Sequence, residues 1–555
     1  MGECEFNKSE IALAVGRAVE GGAFTTDSMS VLTPGGRFQV SWDERGNVTA
    51  IGQVGFFAEF LDMTELFKNW VRDCPLSYSS GNAPEVRDVL GTWMLSILDG
   101  QWRYAHVASL RGDAVAPDIL GMNTLVGDES LRRGLKLIAP APKTEHTEEQ
   151  QARQQAQLKR AEEWMEHSLL ASVMDALNTD WILDCDPTVK VLYGHQSGAE
   201  IGYNPHKPGR PSHTVHTYWV ANLRLVLMVR VQSGKSTSAA HSLPGLKKLL
   251  LGLPLEKRPR LVRGDCAFGT ERVMCELEEI DQRYLFKLKQ SVNVKRLVNR
   301  HWPAAGWCNV GQGWEGHEDQ LKLDGWTKTR RVVVLRRQIK KDILVETTKR
   351  KGAKRKATAS KGTKPEQTCL ELIDPNDPIK AWEYAVLISN APYPLDAIGQ
   401  LYRDRADCEN GFDELKNQWG WGGYSTQDIE RCNLSAQAVA LVYNWWSWYM
   451  RLAHPKGRLE AITSRPLLLA AVGRLTEHAG QKRLLLSVTH AAVDQVKVLI
   501  SNVREGLRHI RATAPQLPNG NRWRALIGYI VAKILAAKAH GHANTHAPPG
   551  LLMAW

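Results

Sequence analysis

The segment LYRDRADCENGFDELK, residues 401–416, constrains this chain more than any other stretch of its sequence. On one continuous helix, at about 100° per residue, four polar side chains share a stripe about 60° wide that borders the predicted buried face. They are Tyr402, Arg405, Glu409 and Lys416. A phenol, a guanidinium, a carboxylate and an ammonium in one line suit a site that binds a metal ion and grips a phosphate backbone. The spacing alone fits equally well an amphipathic helix whose charges are merely solvated.

Net charge and cysteine content indicate which kinds of binding partner and which cellular compartment suit this chain. The 555 residues carry 71 Lys and Arg against 59 Asp and Glu, a formal net charge of +12, which suits a polyanion such as nucleic acid. The 9 cysteines form no C-x-x-C pair, so we expect neither a disulfide framework nor a structural zinc site, and a cytoplasmic setting fits best. We find no signal-peptide pattern, and the uncharged stretch at 433–450 predicts a buried helix, not a membrane span.

The first 150 residues are expected to form an α-helical domain. Residues 114–138 fit a helix-turn-helix, whose second helix would present Arg132 and Arg133 outward to read DNA ends. The same pattern fits two helices of an all-α bundle.

Short β-branched and aromatic runs follow. WILDCD, HTYWVAN and LRLVLMVRV predict three strands with hairpin-length connections, and RLVRGD predicts a fourth strand after a helix. This is a ribonuclease H-like order, so we expect a mixed α/β fold with such a core, a β-rich insertion and α-helical flanks. The predicted parts are a helical linker at 151–179, the core's first part at 180–290, the insertion at 291–380 with a disordered basic loop at 349–367, the core's second part at 381–426, and a helical C-terminal domain at 427–555.

Three carboxylates stand at the ends of elements. Asp186 closes the strand WILDCD, Asp265 closes RLVRGD, and Glu409 lies on the helix described above. Neighbouring strands can bring two such acids within a few ångströms, and a helix laid across them can supply a third. Negative charges held that close to one another repel unless a cation lies among them. The three carboxylates therefore predict Mg²⁺, with Mn²⁺ as a substitute, and we expect two ions. Two such ions perform phosphoryl transfer on DNA.

With these motifs in order, the chain resembles insertion-sequence transposases of the DDE superfamily, in the branch with a tyrosine-arginine-glutamate-lysine signature. The signature is Tyr402-x-x-Arg405-x-x-x-Glu409-x-x-x-x-x-x-Lys416, accompanied by the D-x-[ST] motif at Asp186 and by RGDCAFG around Asp265. The three acids are 79 and 144 residues apart, and the longer gap holds the insertion. The resemblance runs from about residue 180 to 450.

The resemblance implies an enzyme that cleaves double-stranded DNA at the ends of its element and joins the freed 3′-hydroxyls to a target. It implies that Asp186, Asp265 and Glu409 ligate the metal ions, and that Tyr402, Arg405 and Lys416 contact phosphates. A homodimer on DNA is expected by analogy. Two other functions stay open: a metal-dependent nuclease on the same fold without strand transfer, and an inactive DNA-binding regulator.

Several residues compete with these assignments. Asp184 shares a strand face with Asp186, and Asp413 lies near Glu409 on the helix. Cys185, Cys266 and Cys408 each adjoin a proposed ligand, but we interpret them as small core residues.

The region after the first acid is rich in basic residues and histidines. We expect Lys207 and Arg210 to touch DNA there, although the nearby histidines leave a metal cluster open. The insertion holds four tryptophans that either pack in its core or stack on an unpaired base. They are Trp302, Trp307, Trp314 and Trp326.

Overall fold

The chain is a mixed α/β protein built on one eleven-stranded sheet with helices packed against it. The computed structural model describes residues 29–40, 47–142, 147–177, 180–205, 207–236, 239–302, 306–339, 372–374, 377–487, 491–513 and 519–542. The predicted basic loop at 349–367 lies outside these described residues.

Helices make up most of the described chain before residue 150. They are α1 (Val54–Thr64), α2 (Leu66–Arg72), α3 (Val86–Leu98), α4 (Val115–Ile119) and α5 (Asp128–Ile138). The sequence did not predict the hairpin of β1 (Met29–Thr33) and β2 (Gly36–Val40), nor strand β3 (Val48–Thr49). Helices α4 and α5 occupy the segment that fits a helix-turn-helix, and its DNA-reading role stays a prediction.

The long helix α6 (Glu148–Ala171) follows where the sequence predicts a helical linker. It starts at a capping box, in which the Thr147 hydroxyl accepts from the Gln150 backbone N–H and the Gln150 side chain accepts from the Thr147 N–H. Such a box satisfies two backbone donors that the first turn of a helix leaves free.

Parallel strands lie at the centre of the sheet. β4 (Ile182–Val191) is parallel to β8 (Leu261–Gly264), which is parallel to β9 (Tyr284–Lys287). Parallel neighbours need a crossover, and the connections carry α7 (Ala239–Gly252) and α8 (Glu271–Glu279).

On the other side of β4 the strands are antiparallel. They are β6 (Pro211–Val220), which pairs with β4, and β7 (Leu225–Ser233) and β5 (Glu200–Ile201), which both pair with β6. The central order is therefore β7-β6-β4-β8-β9.

The segment predicted as a β-rich insertion extends the same sheet beyond β9. After α9 (Val292–His301) it contributes β10 (Cys308–Asn309), β11 (Trp314–Leu321), β12 (Arg330–Gln338), β13 (Leu372–Asp374) and β14 (Asp377–Ser389). β14 returns to pair with β9. The chain therefore re-enters the centre of the sheet just before the segment that carries Glu409.

The remaining elements are mostly helical. They are α10 (Leu395–Arg403), α11 (Ala406–Gln418), α12 (Ile429–Ala453), α13 (Ala461–Leu468), β15 (Gly473–His478), β16 (Gln481–Leu486), α14 (Val493–Thr513) and α15 (Asn519–His542). α12 is buried along most of its length, as the sequence predicts. Its Asn444 amide bonds both backbone groups of Val226, at 2.9 and 2.7 Å, and so fastens the helix to β7.

The two ends of the described chain meet. β15 pairs with β3, and the ring of Phe57 on α1 lies 5.4 Å from Trp446 and 5.2 Å from Tyr449 on α12. The helices before the central sheet and those after it thus pack into one core. None of the described helices combines the length and the apolar character needed to cross a bilayer.

Candidate active site

The register of the central sheet brings Asp186 and Asp265 together. Asp265 directly follows β8, as the sequence predicts, but the prediction that Asp186 closes its strand was wrong, because β4 continues to Val191 by pairing with β6. β4 and β8 run parallel with Cys185 opposite Gly264, so the next residues along, Asp186 and Asp265, are neighbours. Adjacent strands lie about 4.8 Å apart. One carboxylate oxygen of Asp265 accepts from the backbone N–H of Ala267 at 2.9 Å, which fixes this side chain at the strand tip.

The signature residues lie on two helices, so the prediction of one continuous helix was wrong. Tyr402 is in the last turn of α10, and Arg405 lies in the turn before α11, which carries Glu409 and Lys416. The N–H of Arg405 bonds the carbonyl of Tyr402 at 3.2 Å, three residues back.

A tertiary bond explains this break. In a continuous helix the Leu401 carbonyl would accept from the Arg405 N–H. Here it accepts instead from the guanidinium of Arg263 on β8. The tightened turn places the Arg405 side chain beside Asp186 on β4.

Arg405 links two of the three acids. Its Nη2 lies 2.8 Å from Oδ2 of Asp186, and its Nη1 lies 3.9 Å from Oε1 of Glu409. The arginine is 8% exposed, whereas the Glu409 side chain is 71% exposed. The structure thus brings Asp186 and Asp265 together and sets Glu409 at the solvent side of the same guanidinium.

Burial controls the charge of this cluster. It raises the pKa of Asp186 to about 7, with Arg405 opposing and with Asp265 and Glu409 adding to the rise. Burial also works to lower the pKa of Arg405, yet the carboxylate of Asp186 raises that pKa above its usual value. The pKa of Tyr402 is raised by burial and by the nearby acids. Tyr402 and Arg405 therefore both feel the charges of Asp186 and Asp265.

Lys416 reaches the same strand from the far end of α11. Its Nζ donates to Oγ1 of Thr188, two residues beyond Asp186 on the same strand face. Burial lowers the pKa of Lys416, and the charge of Asp186 opposes that effect. The third residue of the D-x-[ST] motif is therefore the hydrogen-bond partner of the last residue of the signature.

The donor set fits a divalent metal ion. Asp186, Asp265 and Glu409 offer carboxylate oxygens, the ligands that Mg²⁺ and Mn²⁺ prefer. The raised pKa of Asp186 comes first from burial of its charged form and then from the nearby charges of Asp265 and Glu409, and a cation among these carboxylates relieves that cost. Across the described ranges no three His, Cys, Asp or Glu side chains are grouped to hold an ion. In this arrangement the Arg405 guanidinium supplies the positive charge between Asp186 and Glu409.

The competing acids have other partners. Asp184 is fully buried and binds Arg263 through both carboxylate oxygens, at 2.6 and 2.7 Å. Asp413 is exposed and accepts from the Asn417 amide at 2.7 Å. Sequence reasoning missed Arg263. The signal was available, because Arg263 precedes Asp265 by two residues as Asp184 precedes Asp186, which places both pairs on matching strand positions.

The neighbouring cysteines are packed. Cys185 and Cys408 are buried and Cys266 is partly buried, and burial raises the pKa of each thiol. A raised pKa keeps a thiol protonated, which agrees with the interpretation as core residues.

The other predicted DNA contacts lie on other elements. Arg132 and Arg133 on α5 pair with Asp128 and Glu129, at 3.5 and 3.2 Å. Lys207 and Arg210 are exposed on the connection between β4 and β6, against the ring of Tyr193.

The histidines and tryptophans singled out in the sequence have local partners. The buried His213 and His216 bond the carbonyls of Ser197 and Ser236, at 2.8 and 2.7 Å, and His206 lies outside the described residues. The insertion tryptophans pack locally. Arg336 stacks on Trp307, Arg337 on Trp314 and Arg330 on Trp326, while Trp302 lies against Tyr384.

Comparison with known proteins identifies the family. A family model described as "Transposase DDE domain group 1" matches residues 84–506, whereas no curated protein matches the chain. Six solved chains match, among them one from the cryo-EM structure of a piggyBac transposase synaptic complex with hairpin DNA. That match has 10% identity over 88% of this chain and 86% of that chain, with a TM-score of 0.35, too low to support an argument. Because the family model covers most of its length, the chain belongs to the DDE transposase family.

Proposed function

We propose that this chain is an insertion-sequence transposase of the tyrosine-arginine-glutamate-lysine branch. It binds the terminal inverted repeats of its element, cleaves the element ends by metal-dependent phosphoryl transfer, and joins the 3′-hydroxyl ends to target DNA. One observation carries the proposal: Asp186, within β4, and Asp265, just after β8, lie side by side where the parallel pairing of these strands ends, under the turn that carries Arg405.

The strand order supports a ribonuclease H-like catalytic core. The antiparallel strands β7, β6 and β4 are followed by the parallel strands β8 and β9, in the order β7-β6-β4-β8-β9. Asp265 lies just after the carboxyl end of β8, where such sheets carry their sites, and Asp186 lies beside it on β4, where the parallel pairing with β8 ends. The proposed flanks are a DNA-end-binding domain at 1–150 and a helical domain at 427–555, through which two copies dimerise. A cytoplasmic location remains part of the proposal.

In this proposal Asp186, Asp265 and Glu409 hold Mg²⁺, or Mn²⁺ in its place. Bound ions would activate a water or a 3′-hydroxyl and steady the leaving oxygen of a phosphodiester. The chain's own cations would bind phosphates of the DNA. Arg405 stays charged beside Asp186, and Lys416 is held at Thr188, so both offer donors to phosphates next to the acids. Tyr402 offers its hydroxyl from the end of α10.

The test is Glu409→Gln, assayed on a labelled duplex that carries the element's own end. We expect cleavage to fall by at least about 100-fold, because even partners of metal ligands cost about 10- to 100-fold when removed. Binding of the DNA end should be largely kept. Asp413→Asn is the matched control, because this exposed acid lies one turn further along α11 and bonds only Asn417 among the described residues.

Three outcomes separate the functions. Joined product from the wild type supports a transposase, and cut product alone indicates a nuclease without strand transfer. Cleavage that persists in the Glu409→Gln variant would show that the third acid is assigned to the wrong residue.

A further inference from the structure

The connection between β4 and β6 exposes an aromatic side chain that two cations contact. Lys207 Nζ donates to the hydroxyl of Tyr193 and lies 5.1 Å from the ring centroid. The Arg210 guanidinium lies 5.3 Å from the same centroid. Tyr193 is 68% exposed, so the group faces solvent. We call these three residues the Tyr193 clamp.

The two cations of the clamp lack the usual surface partner. Of the acids that the structure describes, none forms an ion pair with Lys207 or Arg210, whereas other surface arginines are paired, as Arg331 is with Glu318. The phenol oxygen accepts from Lys207, and the ring lies near the Arg210 guanidinium, so one side chain contacts both cations. A phosphate would accept from both side chains at once.

The root of the connection is fixed, although its tip is exposed. The Leu192 N–H bonds the Pro211 carbonyl at 3.0 Å, which continues the β4–β6 ladder to the edge of the clamp. Ser197 bonds the N-terminal end of α12 twice: its N–H donates to the Gln427 carbonyl, and its Oγ accepts from the Ile429 N–H, both at 2.8 Å. A fixed root lets the clamp bind without first paying to order its backbone.

Strand β4 sets the distance from the clamp to the acids. Tyr193 follows Asp186 by seven residues, which at about 3.3 Å per residue is about 23 Å. At about 3.4 Å per base pair this corresponds to about seven base pairs of duplex.

We infer that the Tyr193 clamp grips the sugar-phosphate backbone of duplex DNA about seven base pairs from the phosphate that the acids cleave. The contact is independent of base sequence, because the clamp offers charge and no group aimed at a base edge. The inference rests on the proposed function, since it takes the cleaved phosphate as its origin.

The first experiment measures charge contacts. The double variant Lys207→Gln/Arg210→Gln is compared with the wild type in binding a 40-bp duplex of arbitrary sequence, by fluorescence anisotropy over a salt series. Each phosphate contact contributes about 0.9 to the slope of log affinity against log salt, so we expect a slope shallower by about two. Tyr193→Ala should give a smaller change of the same sign, because it frees both cations without removing them.

The matched control is Lys456→Gln. Lys456 is exposed and follows α12 at the end opposite to the one that holds Ser197, about 37 Å away for a helix of 25 residues. Its slope should equal that of the wild type. Equal slopes for the double variant and the wild type would overturn the clamp.

The second experiment measures position. A photo-crosslinking residue replaces Tyr203, an exposed side chain of the same connection, and the crosslinked nucleotide is mapped on the element's own end. We expect crosslinks about five to nine base pairs from the cut, and crosslinks only elsewhere contradict the inference. The two proposals fail separately. If the wild type cleaves DNA and the double variant has the same salt slope as the wild type, only the DNA contact of the Tyr193 clamp is contradicted. If the salt slope changes but the wild type does not cleave, the proposed enzymatic function is contradicted and the DNA contact is kept.

Discussion

Strand β4 carries two aspartates, each bound to an arginine, and the two pairs differ in how firmly they are closed. Asp184 and Arg263 form a two-point pair in which both side chains are almost fully buried, and Arg263 also holds the Leu401 carbonyl. Asp186 and Arg405 meet at one contact, and Arg405 also extends to the exposed Glu409. The first pair is a fixed part of the scaffold. The second pair is itself largely buried but borders solvent through Glu409, so Arg405 can exchange partners there.

The largest expected effect is on the closed pair. Arg263→Ala leaves the Asp184 carboxylate buried without its cation, which costs about 3–5 kcal/mol of unfolding free energy. The change also frees the Leu401 carbonyl, so the turn before Glu409 should loosen. Urea denaturation of the two proteins measures the cost.

A paired replacement sharpens that result. Asp184→Leu/Arg263→Met removes both charges and should recover most of the lost stability, since apolar residues of similar size often replace buried ion pairs without cost. A stable Arg263→Ala protein would mean that the pair is not the fixed element we take it to be.

The next effect falls on catalysis and leaves the scaffold intact. Asp186→Asn should lower cleavage by at least about 100-fold, as expected for a metal ligand, while the protein stays folded. At neutral pH its melting temperature should equal or exceed that of the wild type, because the buried carboxylate is itself a cost. This expected stability differs from the loss expected when the Asp184–Arg263 pair is broken. If Asp186→Asn unfolded the protein, the two pairs would be equivalent.

The same variant gives a pH prediction. The pKa of Asp186 is about 7 in the folded chain, against an ordinary value of 3.8. Between those values the unfolded chain loses the proton that the folded chain keeps, so this group makes stability fall as pH rises from about 4 to about 7. Asp186→Asn should remove that part of the decline in a melting series over pH. Added Mg²⁺ should raise the wild-type melting temperature at pH 7 more than that of the variant.

The predictable part of this site is the part that local pattern and strand register control. Asp186 and Asp265 each follow an apolar run, and parallel pairing of these runs makes the two acids neighbours, although β4 continues beyond Asp186. Strand β12 was likewise visible as the β-branched run RVVVLRRQ, and β14 contains the run WEYAVLIS, whereas β11, with the sequence WEGHEDQL, shows no such run. The burial of α12 followed from its uncharged sequence.

The rest depends on contacts between distant segments. The break before α11 arises because Arg263, on another element, takes the Leu401 carbonyl, and nothing within residues 401–416 signals it. The pairing of β15 with β3 joins segments more than 400 residues apart in the chain. Helical periodicity predicted only approximately which side of the helix Glu409 occupies relative to Asp186 and Asp265. Tyr402 and Arg405 precede the helix that carries Glu409, so the four residues do not follow one helical repeat.

A smaller effect is expected at the open pair's arginine. Arg405→Gln removes the charge beside Asp186, but that carboxylate can take up a proton, so the loss of stability should be clearly less than for Arg263→Ala. Cleavage should fall by about 10- to 100-fold if Arg405 binds a phosphate through charge-assisted hydrogen bonds, each worth about 1.5–3 kcal/mol. Comparing the two arginine variants in one denaturation series tests the ranking. If Arg405→Gln lowered the unfolding free energy more than Arg263→Ala, the Asp186–Arg405 pair would be the fixed one.

The smallest effect concerns the hydrogen bond from Lys416 on α11 to Thr188 on β4, two residues beyond Asp186. Thr188→Val keeps the shape of the side chain and removes the oxygen that accepts from Lys416. One such bond contributes about 1 kcal/mol, so stability should fall by about that amount and cleavage by a few-fold. Thr188→Ser keeps the acceptor and should behave as the wild type in both assays. Because Lys416 is partly buried, freeing it also tests whether the lysine must be held near Asp186 to serve the phosphate. Equal cleavage by the Thr188→Val and Thr188→Ser variants would mean that the lysine acts without this anchor, and that Arg405 alone supplies the charge at the open pair.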